Sequence, residues 1–337
     1  MGSMTKWTEA SLKAASETFK GQKIYIATGG RGIPMFGADF SAQAQICAKY
    51  GAGIRITNLT DSYQESFAIN NQASAACRFY GAEFSTEEAL INSPEAVAMR
   101  IFDAVSSGAK SIYFKGLIGL GKDICTGAYS QPGEATKSLI KIDENKDYLQ
   151  KVTCDKDVCV LTPRFSVFPQ PQELYVIQRY SSYLRNLVDL DMIDDKMISD
   201  GALSCYSFLV LFNNALLSEP VFDKIIKKLE EGGYLLMNGD AFLSSIGGRK
   251  IKKNSAGFLR IEKGGVVFIP SSVMDNPRVF ITDVALSLKN KRKQFSWPEK
   301  TEIKTGFDDE YLAISKNAIF VYNSSGNSIE KISTAGV

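Results

Sequence analysis

The chain has 337 residues, a formal net charge of +2 and no histidine. A near-neutral balance gives no global basic field for nucleic acid. The lack of imidazole excludes Ser-His-Asp and Cys-His nucleophile activation and most catalytic zinc or non-haem iron sites.

Catalysis must then rest on carboxylates, Tyr, Lys, Arg, backbone dipoles or a borrowed cofactor, and no cofactor or metal motif stands out. The composition, 45% apolar and 23% charged, is that of a soluble globular protein of two or three domains. The longest apolar run, around Tyr206 to Phe212, is too short to span a bilayer, so no membrane partner is expected. The six cysteines (Cys47, Cys77, Cys125, Cys154, Cys159 and Cys205) include no Cys-x-x-Cys pair. Reduced, mostly buried thiols in a cytoplasmic protein are the expectation. The Met1-Gly2-Ser3 start reads as a tag ahead of Met4 and enters no fold argument.

In chain order, Lys23 to Thr28 is an apolar, β-branched run ended by Gly29-Gly30, and reads as a strand. A helix is expected from Ala38 to Tyr50, stopped by Gly51, then a strand over Gly53 to Thr57. Phe67 to Tyr80 reads as a helix closed by Gly81, and Ala82 to Thr86 as a strand. Pro94 to Ser107 is an amphipathic helix with proline in its first turn and Gly108 past its end. Lys110 to Phe114 is a fourth strand. The strands recur about every 30 residues, the size of one βα unit. Four units in a row predict a parallel sheet, either a small open one or half of an eight-stranded βα barrel.

A polar linker over Lys151 to Asp157 precedes a second alternating region. Its expected strands are Val158 to Thr162, Leu187 to Leu190, Phe208 to Phe212 and Tyr234 to Met237. Its expected helices are Gln172 to Asn186 and Val221 to Glu231. The fully apolar Phe208 to Phe212 suits the middle of a parallel sheet. From about Gly264 the pattern turns to short β-segments, Gly265 to Ile269, Tyr311 to Ile314 and Ala318 to Tyr322, as in a small antiparallel end-domain.

The first candidate for chemistry is Ala82-Glu-Phe-Ser-Thr-Glu-Glu88. Catalytic groups of a βα barrel sit at the C-terminal ends of strands, where Glu87 falls. Glu83 lies deeper on the same face by the period of two. Either carboxylate could serve as nucleophile or general acid/base, or could neutralise Arg100 or a helix N-terminus. Other strand ends supply Arg31, Arg55, Thr57, Asn58, Asp61, Tyr63 and Lys115, a polar and aromatic set suited to sugar hydroxyls and a ring face. Thr28-Gly-Gly-Arg-Gly32 could cradle a phosphate but is neither a Walker motif nor a dinucleotide fingerprint; a tight turn explains it as well. The basic run Lys289 to Lys293 has no aromatic platform and reads as a solvated loop. The second region's order resembles class I glutamine amidotransferases, but with no histidine for its cysteines that domain reads as catalytically silent.

The run Tyr206-Ser-Phe-Leu-Val-Leu-Phe-Asn-Asn-Ala-Leu-Leu-Ser-Glu219, then Ile225 to Met237 with its Gly232-Gly233, resembles the flavodoxin-like trimerisation domain of family-42 glycoside hydrolases, the bacterial β-galactosidase type. Phe79 to Glu88 is similar to the seventh barrel strand of those enzymes, and Ala104 to Phe114 to the eighth. The resemblance implies three parts. These are a partial (β/α)8-barrel-like unit over 5–150, a flavodoxin-like doubly wound domain over 157–275 and a small C-terminal β-domain over 276–337. It implies a retaining glycosidase acting on a carbohydrate, with Glu87 as nucleophile, or Glu83 if the strand register differs. Arg55, Asn58, Asp61, Tyr63 and Lys115 would then hold the sugar, and the chain would form a dimer or trimer. The family's acid/base is a Glu after an Asn on the fourth barrel strand, and this sequence has no Asn-Glu pair. The expectation is therefore either an enzyme completed by an N-terminal half-barrel, on this or another chain, or a carbohydrate-binding or assembly protein that kept the fold without turnover.

Overall fold

The computed structural model describes residues 2–30, 38–58, 60, 62–89, 94–115, 143–144, 156–164, 171–185, 188–238, 241–252, 258–269, 310–314, 318–323 and 328–333. The chain divides into two compact units, Met1–Asp155 with Lys304–Val337, and Lys156–Ile303.

The first unit opens with helix α1 (Gly2–Thr18), an element the sequence pattern does not announce, because little more than Leu12 and Thr8 of it is buried. Then strand and helix alternate: β1 (Tyr25–Gly30), α2 (Phe40–Lys49), β2 (Gly53–Asn58), α3 (Tyr63–Tyr80), β3 (Glu83–Ala89), α4 (Pro94–Ser106) and β4 (Ile112–Lys115). Local chemistry sets these ends. The Asp39 side chain caps α2 by accepting from the Ala42 N–H at 3.0 Å. Ser62 caps α3, which starts four residues earlier than its apolar pattern suggests, by accepting from the Glu65 N–H at 3.4 Å. Gly81 ends α3 at φ 82°, in the left-handed region where glycine meets no Cβ penalty.

The four strands are parallel and lie in the order β1-β2-β3-β4. In that order each right-handed crossover returns its helix to the same side of the sheet. Accordingly α2 packs on α3, and α3 on α4. Ile54 and Ile56 of β2 and Phe84 of β3 are buried on the helix side, at about 1.5–3 kcal/mol of burial for each large apolar side chain. The alternate residues, Arg55 and Thr57 on β2 and Glu83, Ser85 and Glu87 on β3, stand on the opposite face. This winding is that of a barrel wall, not of an open sheet with helices on both sides.

The second unit contains β5 (Val158–Leu161), α5 (Pro171–Arg185), β6 (Leu190–Ile193), α6 (Asp195–Ser199), β7 (Phe208–Leu211), β8 (Ala215–Leu217), α7 (Glu219–Glu230), β9 (Tyr234–Asn238), β10 (Leu243–Ser245), β11 (Lys250–Ile251), β12 (Phe258–Ile261) and β13 (Gly264–Ile269). Its main sheet runs β6-β5-β7-β9-β13, all parallel, with β12 antiparallel at the edge. Strands β5, β6 and β7 are buried along their whole length. Two expectations shift. The second strand lies at Leu190–Ile193, not Leu187 to Leu190. Gly264–Ile269 is not the start of an antiparallel end-sheet but pairs in parallel with β9. Strands β8, β10 and β11 make a separate three-stranded sheet. Within the first unit, β14 (Glu310–Ile314), β15 (Ala318–Asn323) and β16 (Ser328–Ser333) form an antiparallel sheet.

The α7–β9 turn and β13 meet closely at Gly264. A Cβ there would lie 2.0 Å from the Gly233 carbonyl oxygen and 2.5 Å from that of Leu229. Both obstacles are backbone, so nothing flexible can give way. Gly264→Ala is expected to destabilise the second unit by about 2–3 kcal/mol, read as a lowered urea midpoint with an unchanged slope.

The cysteines divide sharply. Cys47, Cys77 and Cys159 are buried and Cys205 is exposed, all four free. Cys125 and Cys154 lie outside the described residues. Burial pushes the Cys47 thiol up to about 12 and raises those of Cys77 and Cys159 as well. Since the thiolate is the nucleophile, iodoacetamide on the native protein should modify Cys205 and spare the other three. Native-state alkylation of Cys159 at a comparable rate would mean that the central sheet opens.

Candidate functional site

Among the described residues, the face of the β1–β4 sheet opposite α2, α3 and α4 carries the polar groups. Glu87 stands on β3 between Thr57 of β2 and Tyr113 of β4, its partners in register. Its Oε2 lies 2.8 Å from an Arg55 terminal nitrogen and accepts from the Thr57 hydroxyl at 3.2 Å. The two ion-pair side chains are 29% (Arg55) and 17% (Glu87) exposed, so the carboxylate is sheltered but reachable. The Arg55 guanidinium also lies over the Tyr113 ring, 5.2 Å from its centroid, and Tyr25 meets that ring edge-on at 5.9 Å. Ser85 and Ser111 share a hydrogen bond of 2.8 Å on the same sheet.

Glu83 stands on this face too, two pleats toward the start of β3. It accepts hydrogen bonds from the Tyr25 hydroxyl and from Lys23 Nζ at 3.2 and 3.3 Å. Burial, then the bond to Glu83, raises the Tyr25 hydroxyl above its ordinary pKa, so Tyr25 is a donor there and not a base. Four residues of strand separate Glu83 from Glu87, roughly 13 Å at 3.3 Å per residue. A retaining glycosidase needs its two carboxyl groups about 5 Å apart. Glu83 therefore cannot be the second carboxylate to Glu87.

Of the other expected site residues, Asn58 does not face Glu87. Asn58 is fully buried on the helix side. Its Nδ2 donates to Ser66 Oγ at 3.1 Å and its Oδ1 accepts from the Thr60 N–H at 3.2 Å. Ser66 in turn donates to Asp103, which also accepts from Asn70 at 2.7 Å, so Asn58 belongs to a buried network joining α3 and α4. Tyr63 opens α3 and its ring packs on Phe67 of the same helix, 6.1 Å between centroids. Lys115 ends β4, paired through its backbone with Ala89; its side chain lies outside the description, as do Asp61 and Arg31. Of the glycine turn, Thr28, Gly29 and Gly30 end β1, and Arg31 and Gly32 are outside the described residues, as is the basic run Lys289 to Lys293. Tyr113 and Tyr25 joined the site without being singled out in the sequence. Strand parity could have found them, since each lies an even number of residues along a paired strand from a residue facing Glu87 or Glu83.

In the second unit, Cys159 lies in β5 and its thiol donates to the Phe208 carbonyl at 3.5 Å. Among the described residues, no group of three or more acidic or cysteine side chains could hold a metal ion, and no helix is long and apolar enough to cross a membrane.

No family model matches the chain, and no curated protein matches it in sequence. Solved structures do match in fold. An apo exo-carrageenase of family GH42 from Bacteroides ovatus superposes with a TM-score of 0.54 at 12% identity, over 89% of this chain and 45% of that one. Gan42B, a GH42 β-galactosidase, gives 0.52 at 14% identity over 94% and 61%. A β-galactosidase from Bacillus circulans sp. alkalophilus gives 0.55 at 12% over 95% and 62%. The fold thus resembles that of family-42 glycoside hydrolases, a mixed α/β architecture with parallel sheets. This chain spans about half to three-fifths of the length of those structures.

Proposed function

We propose that this is a glycoside-hydrolase-like protein that acts on a carbohydrate by a retaining mechanism, with Glu87 as nucleophile. The observation that carries the reading is the ion pair of Glu87 with Arg55 on the polar face, opposite α2 to α4, of a sheet wound like a barrel wall. In such a wall the active site lies at the C-terminal ends of the strands, and Glu87 stands near that end of β3. The Glu87 carboxylate would attack the anomeric carbon and form an ester while the glycosidic C–O bond breaks. The leaving oxygen takes a proton from an acid, and water then hydrolyses the ester. That acid is a second carboxyl group, which Glu83 is placed too far away to provide. We assign it to a further half-barrel, on another chain or another segment, pairing with β1 and β4, which are edge strands among the described residues, since open parallel edges are unfavourable. The substrates of the fold's neighbours, β-galactosides and a carrageenan by their names, make galactose-containing glycans the first candidates.

The second unit's strand order, with the chain reversing direction at β5, supports a flavodoxin-like domain. We assign it a role in self-association to a dimer or trimer. Free cysteines support a reducing, cytoplasmic setting.

One observation favours a second reading, a carbohydrate-binding or assembly protein without turnover: among the described strand residues of the open face, Glu83 and Glu87 are the only carboxylates. A panel of para-nitrophenyl glycosides separates the two, because an activated leaving group needs little acid assistance. Hydrolysis of a galactoside supports the enzyme. Galactose-induced thermal stabilisation without hydrolysis supports the binding protein. Neither response would sink both.

A further inference from the structure

On the reading of Glu87 as nucleophile, the geometry points to Arg55 as the positioning residue that decides which carboxylate oxygen reacts. Both contacts to Glu87 converge on one atom. Arg55 approaches Oε2 at 2.8 Å and Thr57 donates to the same Oε2 at 3.2 Å. Among the described residues Oε1 receives no such bond, so Oε1 is the oxygen left to bond the anomeric carbon. A carboxylate held through one oxygen cannot swing its plane freely, and reactions of this kind depend on an aligned approach at about 3–3.5 Å.

Arg55 is itself held from a second side. Tyr113, opposite Glu87 in register, lies under its guanidinium, and Tyr25 braces that ring. The Arg55 Nε is buried with no hydrogen-bond acceptor, and a buried unmatched donor is unfavourable by about 1–3 kcal/mol. The fold tolerates that loss where one terminal nitrogen is paired with Glu87 and the plane lies over Tyr113. A lysine could supply the charge but not the planar stack on Tyr113. The role belongs to the pair Arg55–Thr57 on β2, a strand away from the reacting group, and not to a substrate contact.

The experiment uses the full chain and the variants Arg55→Met, Arg55→Lys and Thr57→Val. Two quantities are read. One is kcat and KM for para-nitrophenyl galactoside. The other is the rate at which a galactose-configured ring epoxide labels Glu87, by peptide mass spectrometry. In that labelling the carboxylate opens the epoxide, a new C–O ester bond forms, the ring C–O bond breaks and the freed oxygen takes a proton from water. Arg55→Met should lower kcat and the labelling rate by about a hundredfold while KM moves less than about twofold. Arg55→Lys should recover roughly tenfold of that and Thr57→Val should lose only a few-fold, since a hydroxyl bond is the weaker restraint. If Arg55→Met does not fold, Arg55→Lys decides: parental rates overturn the proposal, reduced rates with parental KM support it. Labelling of Glu87 in the parent with equal rates in every variant leaves the nucleophile reading standing and removes the positioning role. A parent that neither hydrolyses the galactoside nor labels at Glu87 overturns the nucleophile reading and this one with it.

Discussion

Glu87→Gln is expected to leave the protein folded and to lower turnover of an activated aryl galactoside by about a thousandfold or more. The two halves of that expectation have separate causes. Glutamine has nearly the shape of glutamate, and its amide oxygen can still accept from Thr57 and lie beside Arg55 where Oε2 does now. The lost charge pairing is that of a partly exposed ion pair, about 1 kcal/mol or less, so the thermal midpoint should move by no more than about 2–4 °C. An amide, however, cannot form the glycosyl ester that a retaining mechanism requires. Glu83→Gln is the control. Its carboxylate is tied to Lys23 and Tyr25, roughly 13 Å along the strand from Glu87, so turnover should stay within a few-fold of the parent. The reverse pattern, with Glu83→Gln inactive and Glu87→Gln active, would transfer the nucleophile to Glu83 and move the site to the opposite end of the sheet.

The sequence makes the alternation of strand and helix legible because burial enforces it. Ile54, Ile56 and Phe84 had to face helices, and runs such as Phe208 to Leu211 are buried on both faces of a parallel sheet. Less legible was what polar residues do beneath the sheet. Asn58 stands at a strand end, where a sugar ligand is a fair guess, yet its parity follows Ile54 and Ile56 and not Arg55 and Thr57. Its amide is used by Ser66 in a buried network with Asn70 and Asp103. A binary apolar/polar pattern carries no signal for such a network, since the helix residues that form it read as solvent-facing. Arg100 shows the same thing: it is fully buried and donates to the Thr60 carbonyl at 2.8 Å, although a cation in a helix ordinarily marks the exposed side. Gly264–Ile269 was legible as a strand but not in its partner, because only tertiary pairing with β9 distinguishes it from the β-segments that follow.

Lys156→Met should unfold the second unit more readily than any surface change, with a loss of about 3–5 kcal/mol. Lys156 sits just before β5 with its side chain 3% exposed, its Nζ 2.9 Å from Asp191 and 3.5 Å from Asp189. The ammonium also donates to the Leu190 carbonyl at 3.1 Å. Asp189 is shared with Arg185 at 3.0 Å, and Asp191 accepts from the Tyr206 hydroxyl at 2.8 Å. Two cations and two carboxylates are thus gathered at the entry to the sheet, and the group is balanced only as a whole. Methionine fills the space of the lysine stem but takes the positive charge from beside Asp191, whose side chain is also 3% exposed. It is the stranded carboxylate, not the lost attraction, that makes such a change severe. The companion variant tests that cause. Lys156→Met with Asp191→Asn removes the charge that methionine leaves behind, and the asparagine oxygen can still accept from Tyr206. The pair should therefore recover more than half of the single variant's loss, a coupling of about 1.5–3 kcal/mol in a double-mutant cycle. Chemical denaturation of all four proteins reads it directly. Additive losses would show that Lys156 acts through its packed stem or its bond to Leu190, and that the four charges do not form one unit.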